Sequence, residues 1–253
     1  MKRRPAVDES EIARLRFSYL DLLVGCLCRD LFPEAEPDVD PSTRSEGRDW
    51  PAHAETMIGR RRLENLLESL TAVLTADIPG DLAETGVWRG GATILMRAAL
   101  LAWGDVDRLV WVIDSFQGLP APDPDRWPAD ADLDLSGIEA LSVSRAEVET
   151  AFARYGLLDD QLRFLEGWFS DTLPSAPIGQ LALLRLDGDL YQSTWESLTH
   201  LYPRLSPGGI LIVDDYGAFE SCRRAVSEFR EQHGIREPIN KVDWTGVWWQ
   251  KEQ

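Results

Sequence analysis

The stretch Leu181-Ala-Leu-Leu-Arg-Leu-Asp-Gly-Asp189 decides the fold class of this chain. Five of its first six residues are apolar, and the run is too short for a helix, so it predicts a strand that is buried on both faces. Strands of this kind are typical of parallel sheets. Two carboxylates, Asp187 and Asp189, then flank Gly188, where the strand would leave its sheet.

A second apolar run, Gly209-Ile-Leu-Ile-Val213, ends in the same way, with Asp214 and Asp215. Ligands collect beyond the carboxyl ends of parallel strands, so the four carboxylates converge if these two strands are neighbours. Mutual repulsion would then raise some of their pKa values unless a cation lay among them. The cluster therefore predicts an oxygen-ligand site for a hard divalent metal. Helix capping explains Asp187 or Asp215 alone, but it is the weaker explanation for all four.

From residue 79 onward, strand and helix patterns alternate, which predicts a doubly wound, mostly parallel α/β sheet. The predicted strands are residues 81–85, 109–114, 162–165, 181–186 and 209–213, and the predicted helices are residues 92–103, 145–155, 193–202 and 221–233. Residues 117–137 predict a long loop, and residues 206–209 predict a turn. Residues 239–242 and 246–249 predict a C-terminal antiparallel hairpin.

Residues 1–78 predict a helical extension ahead of a catalytic domain that spans residues 79–253. Apolar residues at helical spacing predict helices over residues 11–32 and 60–75. The first helix is expected to pack outside the sheet, as a lid or in an oligomer contact. Residues 33–48 are rich in Pro, Glu, Asp and Ser without periodicity, and they predict a mobile, solvated segment.

Composition narrows the classes of partner. The chain has 253 residues, a formal net charge of -17 and a pI near 4.6. This acidic balance argues against nucleic-acid and anionic-membrane partners, because phosphates would be repelled. Its three cysteines do not suggest a disulfide scaffold, and no stretch approaches the ~20 apolar residues that a membrane span needs. These features predict a cytoplasmic protein without a signal peptide.

The stretch Glu84-Thr-Gly-Val-Trp-Arg-Gly-Gly91 follows a predicted strand and opens a predicted helix. Glycines at such a turn let a ligand approach the backbone and the helix N-terminus. The spacing is not that of a dinucleotide site, and no Walker lysine is present. Glu84 suits a cationic ligand, and Asp114 at the end of the next strand is placed to bind a ribose, which together point to S-adenosylmethionine. Taken singly, either acid could instead cap a helix or a turn. Trp168 could stack on the adenine or pack in the core.

These residues resemble the macrocin O-methyltransferase (TylF-type) family, which methylates sugar hydroxyls of antibiotics and related natural products. The resemblance runs from residue 49 to the C-terminus, with a looser fit over the first helix. It rests on the following motifs: Trp50-Pro51, Thr56-Met-Ile-Gly59, Glu84-Thr-Gly-Val-Trp-Arg-Gly-Gly91, Asp114-Ser-Phe-Gln-Gly-Leu-Pro120, Arg154-Tyr-Gly-Leu-Leu-Asp-Asp160, Gly167-Trp-Phe169, Asp187-Gly-Asp189 and Asp214-Asp-Tyr216.

The resemblance implies the S-adenosylmethionine-dependent, Rossmann-like methyltransferase fold and the use of Mg²⁺. It implies that Asp187, Asp214 and Asp215 bind the metal and that Asp189 is the catalytic base. It places the following residues around the cofactor: Thr56, Met57, Glu84, Gly86, Asp114, Ser115 and Trp168. It assigns no roles in the acceptor loops, residues 34–48 and 121–142.

The expected function is S-adenosylmethionine- and Mg²⁺-dependent O-methylation of a (deoxy)sugar on a glycosylated natural product. A homo-oligomer, dimeric or higher, is also expected. One alternative is a catechol-type O-methyltransferase, which would use a similar metal site on the same fold. A second is a non-enzymatic cofactor-binding scaffold. A nucleotide-sugar glycosyltransferase that binds metal through Asp187 and Asp189 would leave Asp214 and Asp215 without a role.

Overall fold

The structure, a computed structural model, describes residues 8–31 and 40–252. The helices are α1 (Glu9–Leu27), α2 (Pro41–Ser45), α3 (Gly59–Thr75), α4 (Gly91–Trp103), α5 (Arg145–Arg154), α6 (Phe169–Thr172), α7 (Tyr191–Leu201) and α8 (Glu220–His233). The strands are β1 (Asp81–Thr85), β2 (Val110–Asp114), β3 (Leu162–Glu166), β4 (Leu181–Leu186), β5 (Leu205–Val213), β6 (Asn240–Lys241) and β7 (Val247–Gln250).

All seven strands belong to one sheet, in the order β3-β2-β1-β4-β5-β7-β6. Strands β1 to β5 pair in parallel, whereas β7 runs antiparallel to both β5 and β6. The chain moves outward from β1 to β3 and then starts again at β4, on the other side of β1. The strand order therefore reverses between β1 and β4, and ligands of open α/β sheets bind at such a switch point. The predicted doubly wound sheet with its C-terminal hairpin is confirmed.

Helices cover both faces of the sheet. On one face, Leu66 of α3 and Leu95 of α4 belong to one apolar core, and on the other face Leu198 of α7 and Phe229 of α8 belong to a second core. Every residue of β4 is buried, as expected for a central parallel strand between two helical layers. Because α3 shares its core with the sheet, the predicted division at residue 78 does not separate two hydrophobic cores.

Helix α1 packs one face on α3 and α4 and leaves apolar side chains on another face in solvent. Leu20 and Val24 are buried in the core, whereas Leu15, Phe17 and Leu22 are more than half exposed. Such a surface suits a second protein or a ligand lid, so both roles of this helix stay predictions. In the part of the chain that the structure describes, no helix has the length and apolar content needed to cross a bilayer.

The predicted solvated segment over residues 33–48 is partly folded. Residues 33–39, and Phe32 at the end of the first predicted helix, lie outside the described residues. Residues 40–48 contain α2, where the side chain of Arg44 is buried and pairs with Asp49 at 2.6 Å. Amino-acid composition cannot detect such a buried ion pair, because the pair depends on a tertiary contact.

Three local predictions differ from the structure. Residues 206–209 are not a free turn but the first part of β5, where the register with β4 shifts. Pro207 fits this irregularity, since proline has no amide proton to contribute to a ladder. Helix α6 has no counterpart in the prediction. Helix α7 begins at Tyr191, two residues earlier than the predicted start.

Gly86 permits the close approach of two loops at the switch point. It follows β1 and has a φ of +79°, and a Cβ atom built on it would overlap the carbonyl oxygen of Asp187. Gly104, which ends α4, has a similar φ of +70° but open space where its Cβ would lie. Alanine substitutions at the two glycines therefore distinguish the free-energy cost of a left-handed backbone from the cost of a steric overlap at the Cβ atom.

We expect Gly104→Ala to lower the free energy of unfolding by roughly 1–2 kcal/mol, because only the left-handed backbone is penalised. Gly86→Ala should lose about 1–3 kcal/mol more, since the Cβ must also displace the β4 loop. Chemical denaturation of both variants measures the difference. Equal losses in the two variants would contradict the close approach at Gly86.

Candidate active site

The register of the sheet brings the ends of four neighbouring strands into one row. The row consists of Asp114 at the end of β2, Gly86 after β1, Asp187 after β4 and Asp214 after β5. The backbone amides of Gly86, Asp187 and Asp214 each donate to a carbonyl of the neighbouring strand at 2.9 Å. The residues predicted to bind the cofactor, Asp114 and Gly86, therefore lie directly beside the predicted metal ligands Asp187 and Asp214.

A cavity of about 440 Å³ lies beyond this row. Nine of the predicted site residues line it: Met57, Gly86, Asp114, Ser115, Trp168, Asp187, Asp189, Asp214 and Asp215. Thr56 and Glu84 are not among its lining residues. Thr56 is buried nearby, and its hydroxyl accepts a hydrogen bond from the amide of Ile58 at 3.3 Å. The structure thus brings the predicted base, the metal ligands and most of the predicted cofactor residues together.

Three carboxylates have the geometry of a metal site. Asp187, Asp214 and Asp215 each offer an oxygen, and these oxygens all lie within 4.8 Å of one another. Asp215 also accepts a hydrogen bond from the backbone amide of Asp189 at 3.1 Å. The convergence expected from two neighbouring strands is therefore present. Because carboxylate oxygens suit hard cations such as Mg²⁺, the donor set fits that metal.

Asp189 occupies a turn that holds its backbone in the left-handed region, with a φ of +57°. Burial, together with the negative charges of Asp187 and Asp214, raises the pKa of this carboxyl to about 8. Burial likewise raises the pKa values of Asp187 and Asp215. A cation bound among these groups would favour their ionised forms, which is a second reason why the cluster fits a metal.

Arg185 is the next-to-last residue of β4 and is only 1% exposed. Its guanidinium pairs with Glu84 of β1, with Asp187 at 2.8 Å and with Asp214. Burial alone would lower the pKa of the guanidinium, but Asp214, Asp187 and Glu84 raise it well above its ordinary value. Arg185 therefore stays charged beneath the cavity and holds these three carboxylates in place.

Arg62 of α3 is a second buried cation at the site. It pairs with Asp214 and lies 3.1 Å from Asp243, and it donates to the carbonyl of Gly47 at 3.0 Å. Four carboxylates contact the two guanidinium groups, and Asp215 and Asp189 lie beside them without a guanidinium partner of their own. The four are Glu84, Asp187, Asp214 and Asp243. The surplus of negative charge is a third observation that fits a divalent cation.

Glu84 lies beneath the cavity and contacts Arg185. Burial raises the pKa of its carboxyl to about 8 in spite of that contact, and its Oε2 atom is buried without a hydrogen-bond partner. The observed contact is therefore with the arginine, and direct binding of a cofactor by Glu84 stays a prediction.

Asp114 joins the loops that follow β1 and β2. Its carboxylate accepts hydrogen bonds from the amides of Val87 and Phe116, both at 2.7 Å. Ser115 beside it donates to the carbonyl of Gly118 at 2.7 Å. A carboxylate has about four acceptor positions, so Asp114 retains capacity for ribose hydroxyls while it fastens the two loops.

The tryptophans divide between core and cavity. Trp111 and Trp249 are buried, as expected for core residues. Trp88 does both, since it packs against the first core and lines the cavity, and its indole N–H donates to the carbonyl of Ala140 at 2.8 Å. Trp168 also lines the cavity, and its contact with adenine stays a prediction.

Sequence reasoning missed both buried arginines. Arg185 carried a signal, because a charged residue inside an apolar strand needs buried partners. Arg62 carried none, since it follows two other arginines at the start of a helix. Only the fold distinguishes it from its neighbours by turning its side chain toward Asp214.

Comparison with known proteins agrees with this geometry. The family model of the macrocin O-methyltransferases (TylF) matches residues 19–251. The 8-demethyl-8-(2,3-dimethoxy-alpha-L-rhamnosyl)-tetracenomycin-C 4'-O-methyltransferase of Streptomyces olivaceus is 51% identical over 243 residues, with 91% of each chain covered. The mycinamicin III 3''-O-methyltransferase of Micromonospora griseorubida is 47% identical over 244 residues, which cover 92% of this chain and 96% of the relative.

A solved structure gives the same result. The O-methyltransferase NovP aligns with a TM-score of 0.91 at 48% sequence identity, over 94% of this chain and 100% of that chain. This likeness confirms the predicted methyltransferase Rossmann-like fold. Because the family match and the strong identities extend over nearly the whole chain, the protein belongs to the macrocin O-methyltransferase (TylF) family.

Proposed function

We propose that this protein is an S-adenosylmethionine- and Mg²⁺-dependent O-methyltransferase whose acceptor is a sugar hydroxyl of a glycosylated natural product. The observation that carries the proposal is the single cavity in which the glycine turn, Asp114, the carboxylate cluster and Asp189 meet. One side of the cavity has the features of a nucleoside site, and the other has those of a metal-assisted acceptor site. Methyl transfer between two bound substrates needs this adjacency.

The cofactor side is formed by residues after β1, β2 and β3. Gly86 has no side chain that would fill this part of the cavity, and Asp114 offers a carboxylate to ribose hydroxyls. Met57 and Trp168 supply apolar surface to the same cavity. The bound S-adenosylmethionine would supply a methyl group activated by its sulfonium charge. A strongly acidic cavity favours such a cationic donor.

The acceptor side is formed by the ends of β4 and β5. A sugar hydroxyl is a weak nucleophile, so its proton must leave as its oxygen forms a bond to the methyl carbon and the carbon–sulfur bond breaks. Asp189 is placed to take that proton. Asp187, Asp214 and Asp215 would hold Mg²⁺, which supplies Lewis-acid stabilisation of negative charge on oxygen. Arg62 and Arg185 fix the orientation of Asp214 from beneath.

A catechol-type acceptor is the second candidate function, since vicinal aromatic hydroxyls would suit the same cluster. The rhamnosyl-tetracenomycin-C methyltransferase of Streptomyces olivaceus favours the sugar, because its identity of 51% extends over 91% of both chains. Residues 117–142 form a long wall of the cavity. Such a wall offers more contact surface to a large glycosylated acceptor than to a small phenol.

The function is tested by incubating the purified protein with methyl-labelled S-adenosylmethionine, Mg²⁺ and separate panels of rhamnosylated natural products and catechols. We expect label on a sugar hydroxyl, located by tandem mass spectrometry of the product. Transfer to the catechols alone would favour the second candidate. Cofactor binding without transfer to either panel would favour a scaffold.

Metal dependence is tested by the substitution Asp215→Ala and by chelation. We expect either treatment to abolish high-affinity binding of Mn²⁺, measured by electron paramagnetic resonance, together with methyl transfer. Asp107→Ala is the control, because Asp107 is an exposed carboxylate that does not line the cavity. Full turnover after exhaustive chelation would make the carboxylate cluster structural.

Asp189→Asn tests the base. Asparagine tolerates the left-handed backbone that this position adopts, and it keeps the side-chain shape while removing the basicity. We expect normal cofactor and Mn²⁺ binding with a loss of ~10²-fold or more in the rate of transfer. If metal affinity collapsed and transfer continued at nearly the normal rate, Asp189 would be a metal ligand and the base would lie elsewhere.

A further inference from the structure

Helix α7 begins two residues after Asp189, and its own sequence does not cap it. The N-cap residue is Leu190, whose side chain offers no acceptor to the first free amides. The cap comes instead from Asp130. Its two carboxylate oxygens accept hydrogen bonds from the backbone amides of Tyr191 at 2.7 Å and Gln192 at 2.9 Å.

Asp130 belongs to a chain segment that forms one wall of the cavity, although its own side chain is not among the lining residues. It ends a short 3₁₀ turn, Pro128–Asp130, in the long segment between β2 and α5. Arg126, Trp127 and Leu135 of this segment line the cavity. Asp130 itself is only 1% exposed, and the ring of Trp127 lies 5.7 Å from that of Tyr191. The wall and the start of α7 are therefore joined by a buried, bidentate contact.

The turn that carries Asp189 needs support from outside itself. Its left-handed φ is unusual for a residue other than glycine, and such a conformation persists only where the surroundings hold it. Asp215 accepts from the amide of Asp189 at 3.1 Å, and Ser221 donates to its carbonyl at 3.4 Å. Asp130 holds the amides of Tyr191 and Gln192, two and three residues beyond Asp189. Of these three supports, only Asp130 comes from the wall segment.

We propose that Asp130 is a positioning residue that makes the placement of the base Asp189 depend on the acceptor-side wall. The inference rests on the proposed function, in which that wall contacts the acceptor. An acceptor that fits the wall leaves the cap in place and the base aligned. An acceptor that pushes the wall outward withdraws the cap, and the turn then loses one of its supports. The enzyme thereby distinguishes acceptors through the rate of transfer as well as through binding.

Charge and geometry both favour this role over simple packing. The helix N-terminus carries partial positive charge, so a buried carboxylate is a suitable partner for it. Burial raises the pKa of Asp130, while the two amide hydrogen bonds act against that rise. A side chain needed only for volume would not have both oxygens on successive amides.

The experiment compares Asp130→Asn, Asp130→Glu and the control Asp132→Asn. Asparagine keeps the volume but turns an N–H₂ group toward one of the amides, whereas glutamate keeps two acceptor oxygens. Asp132 is exposed on the same segment. We expect Asp130→Asn to lower kcat by ~10–10²-fold, because small misplacements of a catalytic group cost that much. Acceptor KM should rise, cofactor affinity should not change, and the amides of residues 191 and 192 should exchange faster with deuterium.

Asp130→Glu should retain more activity than Asp130→Asn, which is the reverse of the order expected for a packing role. If Asp130→Asn does not fold, Asp130→Ser, which keeps one short acceptor, carries the same expectation for kcat and exchange. The proposal is overturned if Asp130→Asn transfers methyl groups as fast as Asp132→Asn, or if exchange at residues 191 and 192 is unchanged.

The exchange measurement needs no turnover, so it separates this inference from the proposed function. If the wild-type protein methylates no sugar but Asp130→Asn loses protection at the start of α7 and along residues 117–142, the coupling stands and the proposed function fails. If the wild-type protein methylates a sugar and the variants behave alike, the function stands and the coupling fails.

Discussion

The end of this sheet depends on one buried cation, Arg185. A guanidinium removed from water at that depth costs several kcal/mol unless carboxylates surround it. The neighbouring strands supply them: Glu84 comes from β1, Asp214 follows β5, and Asp187 follows the strand that carries the arginine. Buried ion pairs of this kind contribute little net stability. Here the ion pairs fix the orientation of three carboxylates beneath the cavity, whose side chains could otherwise rotate.

The site is left with more negative charge than its two arginines neutralise. The pKa values of Asp187, Asp189 and Asp215 are all raised, because burial and the neighbouring negative charges oppose ionisation of the cluster. In the proposed function, a divalent cation would offset this repulsion and a cationic methyl donor would be drawn to the same cavity. In that function, the site would gain binding of two positively charged partners at a cost in folding stability, as functional sites commonly do.

Segments from distant parts of the chain complete the site around this rigid row of strand ends. Helix α3 contributes Arg62, the hairpin at the C-terminus contributes Trp244, and the long segment after β2 contributes Trp127 and Asp130. A sheet with fixed ends and variable loops can keep one reaction while it accepts different substrates. Because Asp130 caps α7, the position of the turn that carries Asp189, the proposed base, depends on how the segment after β2 packs. The strand ends and that segment are therefore not independent of each other.

The sequence by itself determined the parallel sheet and the position of the acidic residues at one edge of it. Buried parallel strands are local apolar runs, and the connection rules for parallel strands place Asp114, Asp187 and Asp214 at one edge, because consecutive strands end on the same side. Glycine at position 86 was likewise visible as a turn signal. Only the tertiary structure decided which acids meet Arg62 and Arg185, and that a residue 61 positions earlier caps α7. These contacts join segments far apart in the chain, and no local pattern records the distance between side chains that only folding brings together.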